Sequence, residues 1–140
     1  MLAIDTNILV RLIVTDDARQ ARAARTLLDS EDVLVSSTVL LESEWVLRRG
    51  FGLDKLEVLR VLTDICGLPH VNLAEPDKVA AALGLAAAGM DFADALHLAG
   101  ATECEAFVTF DRKMAKSASG SVDQDLGRFR RTVHRMERGL

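Results

Sequence analysis

Aromatic side chains are scarce in this chain: no tyrosine, one tryptophan and five phenylalanines in 140 residues. A core must therefore be aliphatic and helix-prone, built on Leu, Ala and Val rather than on packed rings. Cysteine is equally sparse. Cys66 and Cys104 stand alone, with no C-x-x-C and no His at ligand spacing, which argues against zinc-ribbon and dithiol redox chemistry. Both read as buried, reduced thiols, so a reducing cytoplasm is the expected setting. No long hydrophobic run is present. The longest, Val79 to Met90, is well short of the ~20 residues a bilayer needs, and Asp5 and Arg11 interrupt the first apolar stretch. The start lacks a basic region as well, so neither a membrane span nor a targeting segment is expected. There is no P-loop, no G-x-G-x-x-G and no G-x-S-x-G, so nucleotide-cofactor and serine-elbow readings fall away.

What is present fits an ordinary soluble domain, 49% hydrophobic and 27% charged. A chain this long can bury a core without staples, and no linker or repeat divides it. The net charge of −4 is unevenly placed: residues 112–140 hold eight Lys/Arg against three Asp/Glu. The remaining body is acidic. Such a chain can still meet a polyanion if a metal ion and local arginines reverse the potential at the site.

Periodicity and punctuation predict strands at Leu2–Ile4, Val33–Val35, His70–Asn72 and Phe107–Thr109, the first of them buried. Helices alternate with them. One follows Asp5 through roughly Ile13, and Ala18–Leu28 follows the cap-type residues Thr15, Asp16 and Asp17. Ser36, Ser37 and Thr38 open a helix running to Arg49, ended by Gly50 and Gly52. Asp54-x-x-Glu57 opens a helix ending near Cys66, and Pro76 suits the first turn of an Ala-rich helix over 77–88. Asp91 caps Phe92–Glu103, and Asp111 opens a last short helix. Alternation of this kind implies an α/β fold with a parallel sheet of four or five strands between helices.

In such folds chemistry gathers beyond the carboxyl ends of the strands. Asp5 and Asp111 are placed there, Glu42 lies about one turn into its helix, and Asp94 lies in the first turn of its own. Four carboxylates brought together would repel, and a divalent cation is the usual remedy, which points to a magnesium- or manganese-dependent enzyme. Singly, each acid also has a plain role. Asp91 and Asp94 complement a helix dipole, Asp111 serves as an N-cap, and one of Glu42 and Glu44 is a solvated charge. Asp5, at the end of an N-terminal strand, is poorly placed for routine solvation. His97 lies three residues after Asp94 on one helix face, although an isolated His in an apolar helix more often packs than ligates. Thr6, Asn7 and Thr109 neighbour the strand-end acids and either orient them or serve as turn and cap residues.

Read together, Leu2-Ala3-Ile4-Asp5-Thr6-Asn7, Leu41-Glu42-Ser43-Glu44-Trp45-Val46-Leu47, Asp91-Phe92-Ala93-Asp94-Ala95-Leu96-His97 and Val108-Thr109-Phe110-Asp111 resemble the PIN-domain family. More narrowly they are similar to the VapC-type toxins of toxin–antitoxin pairs. The similarity runs from residue 1 to about residue 116. It implies a small α/β/α sandwich and a metal-dependent endoribonuclease. Carried over by position, the family's acids fall on Asp5, Glu42 rather than Glu44, Asp94 with Asp91 accessory, and Asp111. Asp5 and Asp94 would hold the principal Mg²⁺ (or Mn²⁺), with Glu42 and Asp111 supporting. The resemblance also implies an RNA substrate, a small antitoxin partner and a homodimer.

Residues 117–140 depart from that pattern. They show no apolar closing strand, and Leu126, Phe129, Val133 and Met136 are spaced for a basic amphipathic helix over 126–138. A basic tail bearing Arg128, Arg130, Arg131, Arg135 and Arg138 can follow phosphates or simply be solvated. Other classes fit less well. A receiver-like phosphoacceptor wants an acidic pair after its first strand and a Lys after its last, and here Thr6-Asn7 and Asp111 stand instead. An aspartyl phosphatase wants D-x-D, where this chain has D-x-N. A PIN domain that binds RNA or a partner without cleaving it is the remaining alternative.

Overall fold

The computed structural model describes residues 1–121 and 133–135. The chain divides into two compact units, Met1–Pro76 and Asp77–Leu140. The first unit begins with β1 (Leu2–Ala3), α1 (Thr6–Ile13) and α2 (Ala18–Ser30), followed by β2 (Val33–Val35). Then come α3 (Ser37–Trp45), widening into a π-helical segment over Val46–Gly50, α4 (Lys55–Cys66) and β3 (Val71–Leu73). The strands pair in the order β1-β2-β3, all parallel, with Leu2 opposite Val33 and Val33 opposite Val71.

Side-chain caps fix the helix starts. Asp17, Ser36 and Asp54 accept from the backbone N–H of Gln20, Val39 and Leu56, so each satisfies a donor the helix leaves orphaned. Val33 and Val35 of the central strand β2 are buried, as are Leu9, Leu40, Leu47 and Leu62, an aliphatic core as the composition requires. β1 was expected to be buried, but Leu2 and Ala3 are exposed and burial begins only at Ile4. As an edge strand of its sheet, β1 is paired only with β2 among the described residues. Gly52 takes φ +69°, a left-handed conformation that turns the chain from the π-helical segment towards the Asp54 cap.

The second unit contains α5 (Pro76–Ala87, whose first residue closes the preceding unit), α6 (Phe92–Ala99), β4 (Phe107–Thr109), α7 (Arg112–Ser121) and β5 (Val133–Arg135). Its core is Val79, Ala82, Leu85, Phe92, Leu98 and their neighbours, with Phe92 the one large ring fully inside among the described residues. Gly89, at φ +120°, makes the turn that lets Asp91 cap α6. α6 stops at Ala99, short of the expected Glu103, because Gly100 closes it with a bond to Leu96 O and turns follow.

Two expectations change. The strands form a three-stranded sheet and a separate β4-β5 pair, rather than one sheet of four or five. The predicted helix over 126–138 also fails at Val133–Arg135, which form β5, parallel to β4 with Phe107 opposite Val133 and Thr109 opposite Arg135. The backbone of β4 offers an unpaired edge, and ladder bonds to that edge outweigh the weak helical preference of a Val-containing stretch. The rest of the predicted helix lies outside the described residues.

Neither cysteine forms a disulfide among the described residues. Cys66 is half-buried, and burial pushes its thiol up to about 11, so it stays protonated and inert at neutral pH. Cys104 is exposed, contrary to the buried reading. Among the described residues no helix is long and apolar enough to cross a membrane.

Ser43 is 0% exposed, and its hydroxyl has no hydrogen-bond partner among the described residues. An unsatisfied buried hydroxyl costs about 1–3 kcal/mol. Ser43→Ala is therefore expected to raise stability by about 1 kcal/mol, measured as a shift of the urea midpoint at constant m-value. A lower midpoint would show that the hydroxyl is satisfied.

Candidate active site

In the first unit, Asp5 ends the β1 segment and caps α1. Its Oδ1 accepts from Ile8 N–H at 3.1 Å. The side chain is exposed, so its solvation is routine after all, and its second oxygen has no partner among the described residues. The next residue, buried Thr6, turns its hydroxyl towards α3 and donates to Glu42 Oε2 at 3.0 Å. This bond joins residues 36 apart in sequence and fixes the direction of an otherwise exposed carboxylate. Asn7 is exposed and shares a broad concavity with Asp5 and Arg11.

Glu42 and Glu44 stand in different surroundings. Glu44 is 2% exposed and its Oε1 accepts from Arg48 Nε at 2.7 Å, one turn along the same helix. Glu42 is the exposed one of the two, as the solvated-charge reading allowed, although Thr6 holds one of its oxygens. Glu44 is committed to an internal ion pair, and Glu42 keeps an oxygen for other work.

In the second unit three acids line one pocket of about 280 Å³. Asp91, Asp94 and Asp111 share it with Gly89, Met90, Lys113, Met114 and Ser117. Asp91 Oδ1 caps α6 by accepting from Asp94 N–H at 3.1 Å. Asp111 Oδ1 does the same for α7, accepting from Met114 N–H at 3.0 Å. Thr109 Oγ1 in turn accepts from Asp111 N–H at 3.0 Å, tying the end of β4 to the cap. The plain cap role is therefore real for Asp5, Asp91 and Asp111. It consumes one carboxylate oxygen of each and leaves the other directed by the cap.

Asp94 is half-buried in the first turn of α6. Burial raises its pKa above the usual 3.8, and the nearby carboxylates of Asp91 and Asp111 raise it further, while His97 opposes them. His97 is thus close enough to act on Asp94 electrostatically, although it is exposed. Lys113, also lining the pocket, went unnoticed in the sequence; its place in the first turn after Asp111 was the available signal.

These donors are hard carboxylate oxygens without thiolate, a set that suits Mg²⁺ or Mn²⁺ better than zinc. The mutual repulsion felt by Asp94 is what a divalent cation would relieve, so the chemistry fits such an ion. Among the described residues, no three His, Cys, Asp or Glu side chains stand close enough to form a ready coordination set.

No curated protein matches the chain. The family description for the PIN domain matches residues 2–119, and it spans all the elements that carry the acids. PIN domains are generally nucleases and usually use divalent metal ions. With its parallel α/β architecture and this match over most of its length, the chain belongs to the PIN-domain family.

Proposed function

We propose that this PIN domain is a magnesium-dependent endoribonuclease, and that it is the toxin of a toxin–antitoxin pair acting in the cytoplasm as a homodimer. The observation that carries the catalytic reading is the pocket at the starts of α6 and α7. Asp91, Asp94 and Asp111 line it together, two of them directed by their caps. By the family resemblance, the residues assigned to the ion are Asp5, Glu42, Asp94 and Asp111, with Asp91 accessory. A bound Mg²⁺ supplies Lewis-acid charge for the phosphoryl oxygens and lowers the pKa of a water. Thr6 holds Glu42 in one rotamer through its hydroxyl, and Thr109 holds the Asp111 backbone. Lys113 offers a positive charge at the pocket for the RNA phosphate.

The partner reading rests on charge. Residues 1–111 carry eighteen acidic against nine basic residues, a surface suited to a small antitoxin with a basic segment. A basic side chain there would replace the metal electrostatically and silence the enzyme.

The test is RNA cleavage by the purified protein after chelation, with Mg²⁺ or Mn²⁺ added back. Cleavage is expected only with metal, leaving 5′-phosphate and 3′-hydroxyl ends, and co-expression with its genomic neighbour is expected to suppress it. Binding of RNA without cleavage in either metal would replace this reading with a non-catalytic PIN domain.

A further inference from the structure

Four residues along α3 and its π-helical extension share one exposed face: Thr38, Glu42, Trp45 and Arg49, at spacings of four, three and four. Trp45 is the one tryptophan of the chain, and it stands 57% exposed where most aliphatic residues of its helix are wholly or partly buried. An indole left in water in this way wants a flat apolar partner. Its neighbours narrow the choice. Arg49 is exposed and has no ion-pair partner among the described residues, unlike Arg48, which Glu44 engages. Glu42, on the other side of Trp45, is the carboxylate that Thr6 orients.

We propose that Trp45 is a stacking platform for an unpaired base of the RNA substrate, with Arg49 on the adjoining phosphate. The proposal rests on the ribonuclease reading above and deepens it. Residues three apart on a helix are about 5–6 Å apart at Cβ, within about two stacking steps of ~3.4 Å. A base stacked on Trp45 therefore brings its own backbone beside Glu42. A base inside a duplex has both faces occupied by its neighbours and cannot use the indole, whereas an unpaired base presents one. The sequence preference of such a platform is weak, because every base has a π-face. A self-interface laid over Trp45 would also cover Glu42 on the same helix face, which favours RNA as the occupant.

Because Trp45 is the sole indole, its fluorescence reports the contact without any cleavage. The full chain is titrated in a chelator with a single-stranded oligouridylate and with a blunt RNA duplex of equal length. The single strand is expected to quench Trp45, and the duplex to need roughly tenfold more RNA for the same quenching. In Mg²⁺, Trp45→Ala is expected to raise KM for single-stranded RNA about tenfold while kcat stays within about threefold. Trp45→Phe, which keeps an aromatic face, is expected to recover most of that loss. Equal quenching by both RNAs, none by either, or an unchanged KM in Trp45→Ala overturns the proposal. So does loss of self-association in Trp45→Ala by sedimentation, which would assign the indole to a second copy of the chain. If the wild-type protein is quenched by RNA yet cleaves none, the stacking inference stands and the catalytic reading falls. Cleavage with an indifferent Trp45 gives the reverse.

Discussion

Asp94→Asn is expected to cleave RNA about 100- to 1,000-fold more slowly than the wild-type protein in Mg²⁺, while melting at a higher temperature at pH 7. The activity loss follows from removing one charged ligand from the proposed metal site, where a Lewis-acid contribution is worth several kcal/mol, each 1.36 kcal/mol being tenfold in rate. The stability gain has a separate origin. Asp94 lies in the first turn of α6, half-buried, where its own burial and the carboxylates of Asp91 and Asp111 all disfavour its charge. His97 stands beside it and tempers that penalty.

The pH dependence fixes the sign. Asp94 has a raised pKa in the folded chain, so the native state binds its proton more tightly than the unfolded state does. Its unfavourable contribution is complete above the raised value and fades as pH falls towards the ordinary 3.8. The Tm advantage of Asp94→Asn should therefore be largest at neutral pH and shrink on acidification. Added Mg²⁺ should raise the Tm of the wild-type protein and leave that of the variant nearly unmoved, since only a chain that binds the ion is stabilised by it. A variant that cleaves RNA like wild type, or that melts lower at pH 7, removes Asp94 from the site. Asp5→Asn and Asp111→Asn are the useful companions, because Asn keeps the N-cap while the charge is lost.

How much of this was legible in the sequence depends on the range of the forces involved. Val33–Val35 and Phe107–Thr109 were readable because β-branched and aromatic runs bounded by polar turns carry a local signature. Asp54 and Asp91 were readable as caps for the same reason, since a cap is a three-residue interaction. β5 was not. Val133–Arg135 is a strand because β4 offers it a partner 26 residues away, whereas the apolar spacing around it reads as helix. The exposure of β1 likewise follows from its place in the strand order. At the site, the sequence marked the acids, but Thr6 could not be known to hold Glu42 until α1 and α3 were packed together. The π-helical widening after Trp45 left no mark that periodicity could register.

The two glutamates of α3 should separate cleanly by experiment, because one is exposed beside Thr6 and the other is buried against Arg48. Glu44→Ala deletes a carboxylate that is 2% exposed and leaves the Arg48 guanidinium without its 2.7 Å acceptor. Breaking a fully buried pair costs about 3–5 kcal/mol. The Arg48 side chain is 23% exposed, so water recovers part of that, and a loss of about 2–3 kcal/mol is expected. For a domain of this size that is a Tm lower by about 5–10 °C, with the activity of the remaining folded protein little changed. Glu42→Gln should do the opposite. The amide oxygen still accepts from Thr6, so stability should stay within about 0.5 kcal/mol, whereas RNA cleavage should fall about 100-fold once the charge is gone. Thermal melts and single-turnover cleavage on the two variants check both halves. A Glu44 variant that folds normally but does not cleave, beside an active Glu42→Gln, would exchange their roles. That outcome would also require α3 to be rotated so that the ion pair with Arg48 is not formed.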